Sequence, residues 1–357
     1  MARLFVPGPT DVAPQILEAQ AHPMIAHRSQ ACEDLIARIQ PRLRQVLQSQ
    51  HRVLITASTG SGMQEAALRN TVARRALLCI NGAFAERWHQ IALANNVPAD
   101  RLDVEWDEPV FPDPVEAALR EGSYDALAIV HNETSTGVEN PLAEIVSRTR
   151  SFFPDILLLV DAVSSAGGVE LRTSEWGIDV LFTSSQKCFA LPPGLAFAAV
   201  SDRALERARG VPHRGWYFDF LLLDEYLQRN TTPATPALSL LYALDAQLDR
   251  ILDEGLAARF ERHSRLATQA QTWADERFAL FAPAGYRSKT VTAVLKPSSL
   301  DVDRLNRFLG QDGMSIAGGY GKLRDTTFRI GHMGEIQPTD LEFLLARIDA
   351  FLEGEGA

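Results

Sequence analysis

The chain has 357 residues, is 46% hydrophobic and 22% charged, and carries a formal net charge of −10 with a pI near 5.4. These totals exclude a disordered chain, and the acidic balance excludes nucleic acid as a partner, because a phosphate backbone needs a basic face that no cluster here supplies. The longest apolar runs, such as 156–160 and 221–223, are too short to span a bilayer, and the N-terminus has neither a basic leader nor an apolar signal core, so no membrane association and a cytoplasmic location are expected.

The first residues, Phe5-Val-Pro-Gly-Pro-Thr10, read as a rigid turn that ties down the terminus, followed by a helical stretch over 14–20. An amphipathic helix is expected over 31–48, with Leu35, Ile39, Leu43, Val46 and Leu47 on one face. The chain then alternates. A strand at 52–57 leads through Ser58-Thr-Gly-Ser-Gly62 into a helix from Met63, and a strand at 76–80 leads through Asn81-Gly82 into a helix over 84–95. Further strands are expected at 101–106, 126–131, 156–160, 179–184 and 195–200, with helices at 112–121 and 141–152. That order specifies an α/β fold whose large domain holds a mostly parallel, seven-stranded sheet. A long helical stretch over 236–273 contains the boundary, and elements at 290–295, 301–310, 327–330 and 338–353 follow in a smaller C-terminal α/β domain, giving domains of 1–255, including the N-terminal segment, and 256–357.

Only four of the 35 basic residues are lysines, at 187, 289, 296 and 322, so Lys187 stands alone in the first 288 residues. It follows the apolar stretch 179–184. Arginine stays charged, whereas a partly desolvated lysine can lose its proton and attack a carbonyl. Asp161 ends the most apolar strand, 156–160, where a buried carboxylate needs a cationic partner. Thr59-Gly-Ser61 forms a strand-to-helix turn able to cradle phosphate, and His131-Asn-Glu-Thr-Ser-Thr-Gly137 falls at the same sheet edge. None of the eight histidines pairs at metal-ligand spacing, so no metal is expected, and His131 and His332 read as packed. Cys32, Cys79 and Cys188 fit neither a disulfide framework nor a zinc site and read as reduced thiols, with Cys188 open to alkylation. A sparse lysine, a strand-end aspartate, a hydroxyl-lined phosphate turn and an aromatic at Phe84 together suit pyridoxal 5′-phosphate.

These segments, with Ser185-Gln-Lys187, Pro192-Pro-Gly194, Thr232-Pro-Ala-Thr235-Pro and Phe328-Arg-Ile-Gly331, resemble the class V aminotransferases, specifically the alanine/serine–glyoxylate (serine–pyruvate) group, in family order over essentially the whole chain. The resemblance implies the fold type I architecture of pyridoxal-phosphate-dependent transferases and a homodimer with sites at the subunit interface. It implies Lys187 as the Schiff-base lysine and proton carrier, Asp161 on the pyridinium nitrogen, Val163 under the ring, Phe84 stacked on it, and Thr134 on the ring hydroxyl side. Gln186 would lie near the phosphate, which Thr59, Gly60 and Ser61 bind with Thr232 and Thr235 of the other subunit. Arg329 would grip the substrate carboxylate. Phe84 and Thr232 depart from the tryptophan and tyrosine of animal members. The activity implied is ping-pong transfer of an amino group from serine or alanine to glyoxylate or pyruvate. Phosphoserine aminotransferase, a lyase and a desulfurase of the same fold are the alternatives, and Arg28 or Arg214 is the candidate for a second anion site.

Overall fold

In the computed structural model, which describes residues 3–355, seven strands form one sheet in the order Arg52–Ala57, Leu195–Val200, Val180–Ser184, Leu157–Asp161, Ala126–Val130, Ala76–Ile80 and Ala99–Asp103. Leu195–Val200 runs antiparallel to both neighbours, and the other pairings are parallel. The central strands are buried at every position, and apolar along most of their length, because both sheet faces are covered. Leu158 and Val160 pack with Leu35, Ile39 and Leu43 of the helix Gln30–Val46 and Leu244 of Leu238–Glu254. Leu157 and Leu159 point the other way, into a cluster with Met63, Ala67 and Trp88 from the helices Gly60–Thr71 and Ala83–Ala94. Each leucine fully removed from water in this way contributes about 2 kcal/mol of transfer free energy.

A second, five-stranded sheet has the order Arg3–Phe5, Met314–Gly318, Thr327–Gly331, Val291–Leu295 and Ala279–Leu280. Its core joins Phe5, Val294, Phe328 and Ile330 to Leu266 of the helix Leu256–Arg277 and Leu344 of Pro338–Ala350. Arg3–Phe5 pairs in parallel with Met314–Ile316, so these N-terminal residues complete the sheet built from the C-terminal part of the chain.

Several elements differ from the sequence expectation. The helix expected from Met63 starts at Gly60, because Thr59 caps it by accepting from the Gly62 amide at 3.4 Å. The strand expected at 101–106 is Ala99–Asp103, since its ladder partner ends at Ile80, whose carbonyl takes a last bond from Val104 at 2.9 Å. The stretch 236–273 is two helices, interrupted at Gly255, whose amide closes the first at Ile251 and Leu252 while its carbonyl opens the second at Arg259. Met314–Gly318 and Arg3–Phe5, both unanticipated, are strands through pairing, residues 3–5 on 314–316 and Ala317 and Gly318 on Thr327–Gly331.

Candidate active site

The parallel strands deliver their C-terminal ends to one edge, and nine of the residues singled out in the sequence line a single cavity of about 280 Å³ there: Thr59, Gly60, Ser61, Phe84, Thr134, Asp161, Val163, Gln186 and Lys187. Lys187 lies just beyond the strand Val180–Ser184 in a loop pinned by Ser185, whose hydroxyl donates to the Pro192 carbonyl at 2.7 Å and accepts from the Leu195 amide at 3.2 Å. The lysine is half-buried, with its amine turned into the protein. Its Nζ donates to the Pro7 carbonyl, while the Thr10 hydroxyl reaches the Lys187 carbonyl at 3.1 Å and the Thr10 amide reaches that of Gln186 at 3.1 Å. The N-terminal turn therefore grips the lysine. Gly8 is required in it, at φ +103° and so close that a Cβ would stand 2.5 Å from Nζ. Burial, reinforced by the Arg329 guanidinium, lowers the Lys187 amine to about 8.

Asp161 is the last residue of its strand. Its carboxylate accepts from the Val163 amide at 2.9 Å and from Gln64 Nε2 at 2.8 Å. Neither donor is a cation, and burial pushes the acid up to about 7, with the Glu133 carboxylate adding to the effect. For both Asp161 and Lys187 desolvation outweighs their mutual attraction.

Thr59 and Ser61 flank the N-terminus of the twelve-residue helix Gly60–Thr71, whose free amides and dipole favour an anion. A side chain at position 60 would collide with Val163, 2.5 Å from its Cγ2, so the glycine lets the turn close onto the cavity wall. The helix Ala83–Ala94, which carries Phe84, is fixed by Glu133. That buried carboxylate accepts from the amides of Phe84 at 3.3 Å and Ala85 at 3.1 Å and from the Ser135 hydroxyl at 2.6 Å. The Thr134 hydroxyl donates to Ser164 at 2.9 Å, and its carbonyl accepts from Arg329 Nη1 at 3.2 Å. Arg329 is mostly buried, with Nε on the Gly318 carbonyl at 3.0 Å, and burial lowers its guanidinium to about 10. No described residue accepts from its Nη2.

Thr232 and Thr235 stand elsewhere, along an apolar groove with Trp216, Tyr217 and Leu54. Arg28 is spent on that loop, reaching the Thr232 carbonyl at 2.6 Å and the Thr231 hydroxyl at 3.1 Å, and Arg214 pairs with Asp219 at 3.1 Å while bonding the carbonyls of Ala208 and Val211. Neither points an open guanidinium into the lysine's cavity. His131 is packed against Ser165 at 2.9 Å, and His332 against Thr292 at 2.9 Å with burial lowering it to about 3. Cys188 is fully buried and its thiol pushed up to about 12, so the expected alkylation does not apply to the folded protein. The cavity also holds Gln64 and Arg87, which the sequence reading passed over, and Asn132 and Ser184, which lie in the stretches 131–137 and 179–184 but had no role assigned. Gln64 had a legible signal, one helical turn after Gly60 and hence on its face.

A family model described as Aminotransferase class-V matches residues 15–321. The chain belongs to that family. The aminotransferase is 35% identical to an uncharacterized aminotransferase of Methanocaldococcus jannaschii, over 99% of this chain and 93% of the relative. It is 34% identical to a protein of a Synechococcus species named as the small subunit of a soluble hydrogenase, over 98% and 93%. Among solved structures it is similar to an alanine–glyoxylate aminotransferase from a Nostoc species, with a TM-score of 0.92, 29% identity and coverage of 99% and 96%. The fold is that of the pyridoxal-phosphate-dependent aminotransferases, and the cofactor of this aminotransferase is pyridoxal 5′-phosphate. The cavity fits that group. Four buried polar atoms on its wall, Gln64 Oε1, Asn132 Oδ1, Ser184 Oγ and Gln186 Oε1, lack hydrogen-bond partners within the chain, and Asp161 lacks a cation. A protonated pyridine would supply the N–H that Asp161 lacks, and a phosphate would accept from donors such as the Ser184 hydroxyl, the Gln186 amide and the free N–H groups at the start of the helix Gly60–Thr71.

Proposed function

We propose that this aminotransferase moves an amino group from a small amino acid, serine or alanine, to glyoxylate or pyruvate in two half-reactions. The carrying observation is one cavity in which a lysine lowered to about 8 faces an aspartate raised to about 7. Pyridoxal 5′-phosphate supplies a reactive carbonyl and an electron-withdrawing ring. Lys187 Nζ would bond the cofactor and carry the α-proton. Asp161 would hold the proton on the ring nitrogen, while Phe84 and Val163 clamp the two ring faces. Thr134 would lie at the ring hydroxyl side, and the Thr59–Gly60–Ser61 turn and Gln186 at the phosphate. Arg329 would hold the α-carboxylate through Nη2 and its remaining N–H groups.

Thr232 and Thr235 would reach the phosphate of a partner subunit in a homodimer, a reading supported by their place beside the exposed Trp216 and Tyr217 rather than in the lysine's own cavity. We divide the working molecule into 1–255 and 256–357, with Arg3–Phe5 crossing to the second part, and place it in the cytoplasm. All three cysteines are buried, which favours amino transfer over a desulfurase that would present one on a loop. Engagement of Arg28 and Arg214 disfavours phosphoserine, whose distal dianion would need both charge and access. The Synechococcus relative's hydrogenase name is outweighed by the lysine and aspartate sharing one cavity. The test is spectrophotometric: the purified holoenzyme, mixed with single amino acids, should lose its bound-cofactor absorbance with serine or alanine and regain it with glyoxylate or pyruvate. A clear preference for phosphoserine would reject the donor assignment.

A further inference from the structure

Arg87 lies one turn beyond Phe84 on the helix Ala83–Ala94 and lines the same cavity as Lys187. Its guanidinium is oriented by neutral groups alone, at its two Nη atoms and over one aromatic face. Nη2 donates to the Tyr320 hydroxyl at 2.5 Å, Nη1 reaches the Ser61 hydroxyl at 3.4 Å, and the group sits over the Phe84 ring at 4.9 Å. No carboxylate among the described residues pairs with it. Tyr320 is stacked on Phe84, centroids 5.4 Å apart and nearly parallel, and lies under two guanidinium groups, that of Arg87 at 5.9 Å and that of Arg329 at 5.6 Å. The Gly318 carbonyl, two residues before Tyr320, fixes Arg329 Nε. One short loop therefore positions both arginines. Both also bear electrostatically on Lys187, each disfavouring its ammonium form.

A guanidinium arranged in advance by a hydroxyl and an aromatic face, with no anion of its own, is built to receive one, and its planar fork matches a carboxylate. We propose that Arg87, oriented by Tyr320, is a specificity-determining residue that takes the distal carboxylate of a dicarboxylic amino acid or 2-oxo acid while Arg329 takes the carboxylate next to the reacting carbon. This deepens the aminotransferase reading and rests on it. Four-carbon dicarboxylates join serine and alanine as substrates, and the position of Arg87 discriminates between the two classes.

The probe is aspartate with the holoenzyme, set beside alanine and serine in the same half-reaction assay. Wild type should convert aspartate. Arg87→Gln should lower kcat/KM for aspartate about 30-fold or more, mostly through KM, while changing alanine less than about threefold and leaving the dissociation constant for pyridoxal 5′-phosphate unchanged. Tyr320→Phe, which keeps the ring stack, should show a smaller loss of the same selectivity, and Arg87→Lys should recover part of it. An equal fall for aspartate and alanine, or weaker binding of the cofactor by Arg87→Gln, would overturn the assignment and place Arg87 with the phosphate. Conversion of alanine or serine without aspartate in wild type would sink this inference alone. No reaction with any of the three would sink the aminotransferase reading beneath it.

Discussion

Lys187 is poised between ammonium and free amine by burial and by Arg329, and the balance is measurable. Only the free base attacks a carbonyl, so the rate at which cofactor-free protein captures pyridoxal 5′-phosphate should rise with pH, with a half-point near 8. Arg329→Gln removes a neighbouring cation and should move that half-point upward; stopped-flow absorbance across a pH series reads it, and a half-point that stays or falls contradicts the coupling. In stability terms the folded amine titrates below its unfolded value of 10.5, so burying the ammonium costs stability below about pH 8, and that cost fades between about 8 and 10.5. Asp161 has the opposite slope. Its folded value of about 7 lies above the unfolded 3.8, so the cofactor-free fold should lose stability as pH rises from about 4 to about 7, by on the order of a few kcal/mol. Thermal melts of Asp161→Asn should lack that slope. The same substitution should slow the half-reaction at least about 100-fold, as expected when a preorganised charge partner is lost; a change below about threefold would make Asp161 merely structural.

At the scale of elements, the central strand Leu157–Asp161 joins the two cores to the site, because alternate leucines fill opposite faces while its last residue enters the cavity. Leu158→Ala should cost about 2–5 kcal/mol in urea unfolding, and a loss under about 1 kcal/mol would show that its side of the sheet is not close-packed. This strand and its parallel neighbours were legible in the sequence because buried strands read as unbroken apolar runs bounded by turns, and the polar residues just after them mark the functional edge. Arg3–Phe5 and Met314–Gly318 were not, since neither is an unbroken apolar run and their strand character comes from pairing with each other and, at Ala317 and Gly318, with Thr327–Gly331. Within the site, Lys187, Asp161 and the Thr59–Ser61 turn announced themselves by rarity or position, whereas Arg87 was one of many arginines. Only its cavity-facing guanidinium, without a carboxylate partner, sets it apart. Pro7 and Gly8 read as a tied-down turn, which they are, but nothing local reveals that the tie ends on Lys187.

For the whole molecule, the separation of Thr232 and Thr235 from the lysine's cavity leads to an expectation about assembly. Lys187→Ala and Thr235→Arg should each be inactive alone, yet a mixed preparation should recover part of the activity, because one site of a mixed dimer unites an intact lysine with an intact threonine. Proven subunit exchange without recovery would rule out shared sites. The path of the N-terminal segment has a different consequence, for biosynthesis. Residues 3–5 leave the ribosome more than 300 residues ahead of Met314–Ile316, their parallel partners, and the turn gripping Lys187 follows directly on that strand. Because pairing so distant in sequence closes late, the lysine's finished surroundings should appear only in nearly full-length chains. Borohydride trapping of cofactor on stalled nascent chains should accordingly be weak until residue 318 has emerged, and equal trapping on shorter chains would show that the grip is dispensable. On that expectation Lys187 remains an ordinary ammonium through most of synthesis and gains its free-amine character only as the chain nears completion.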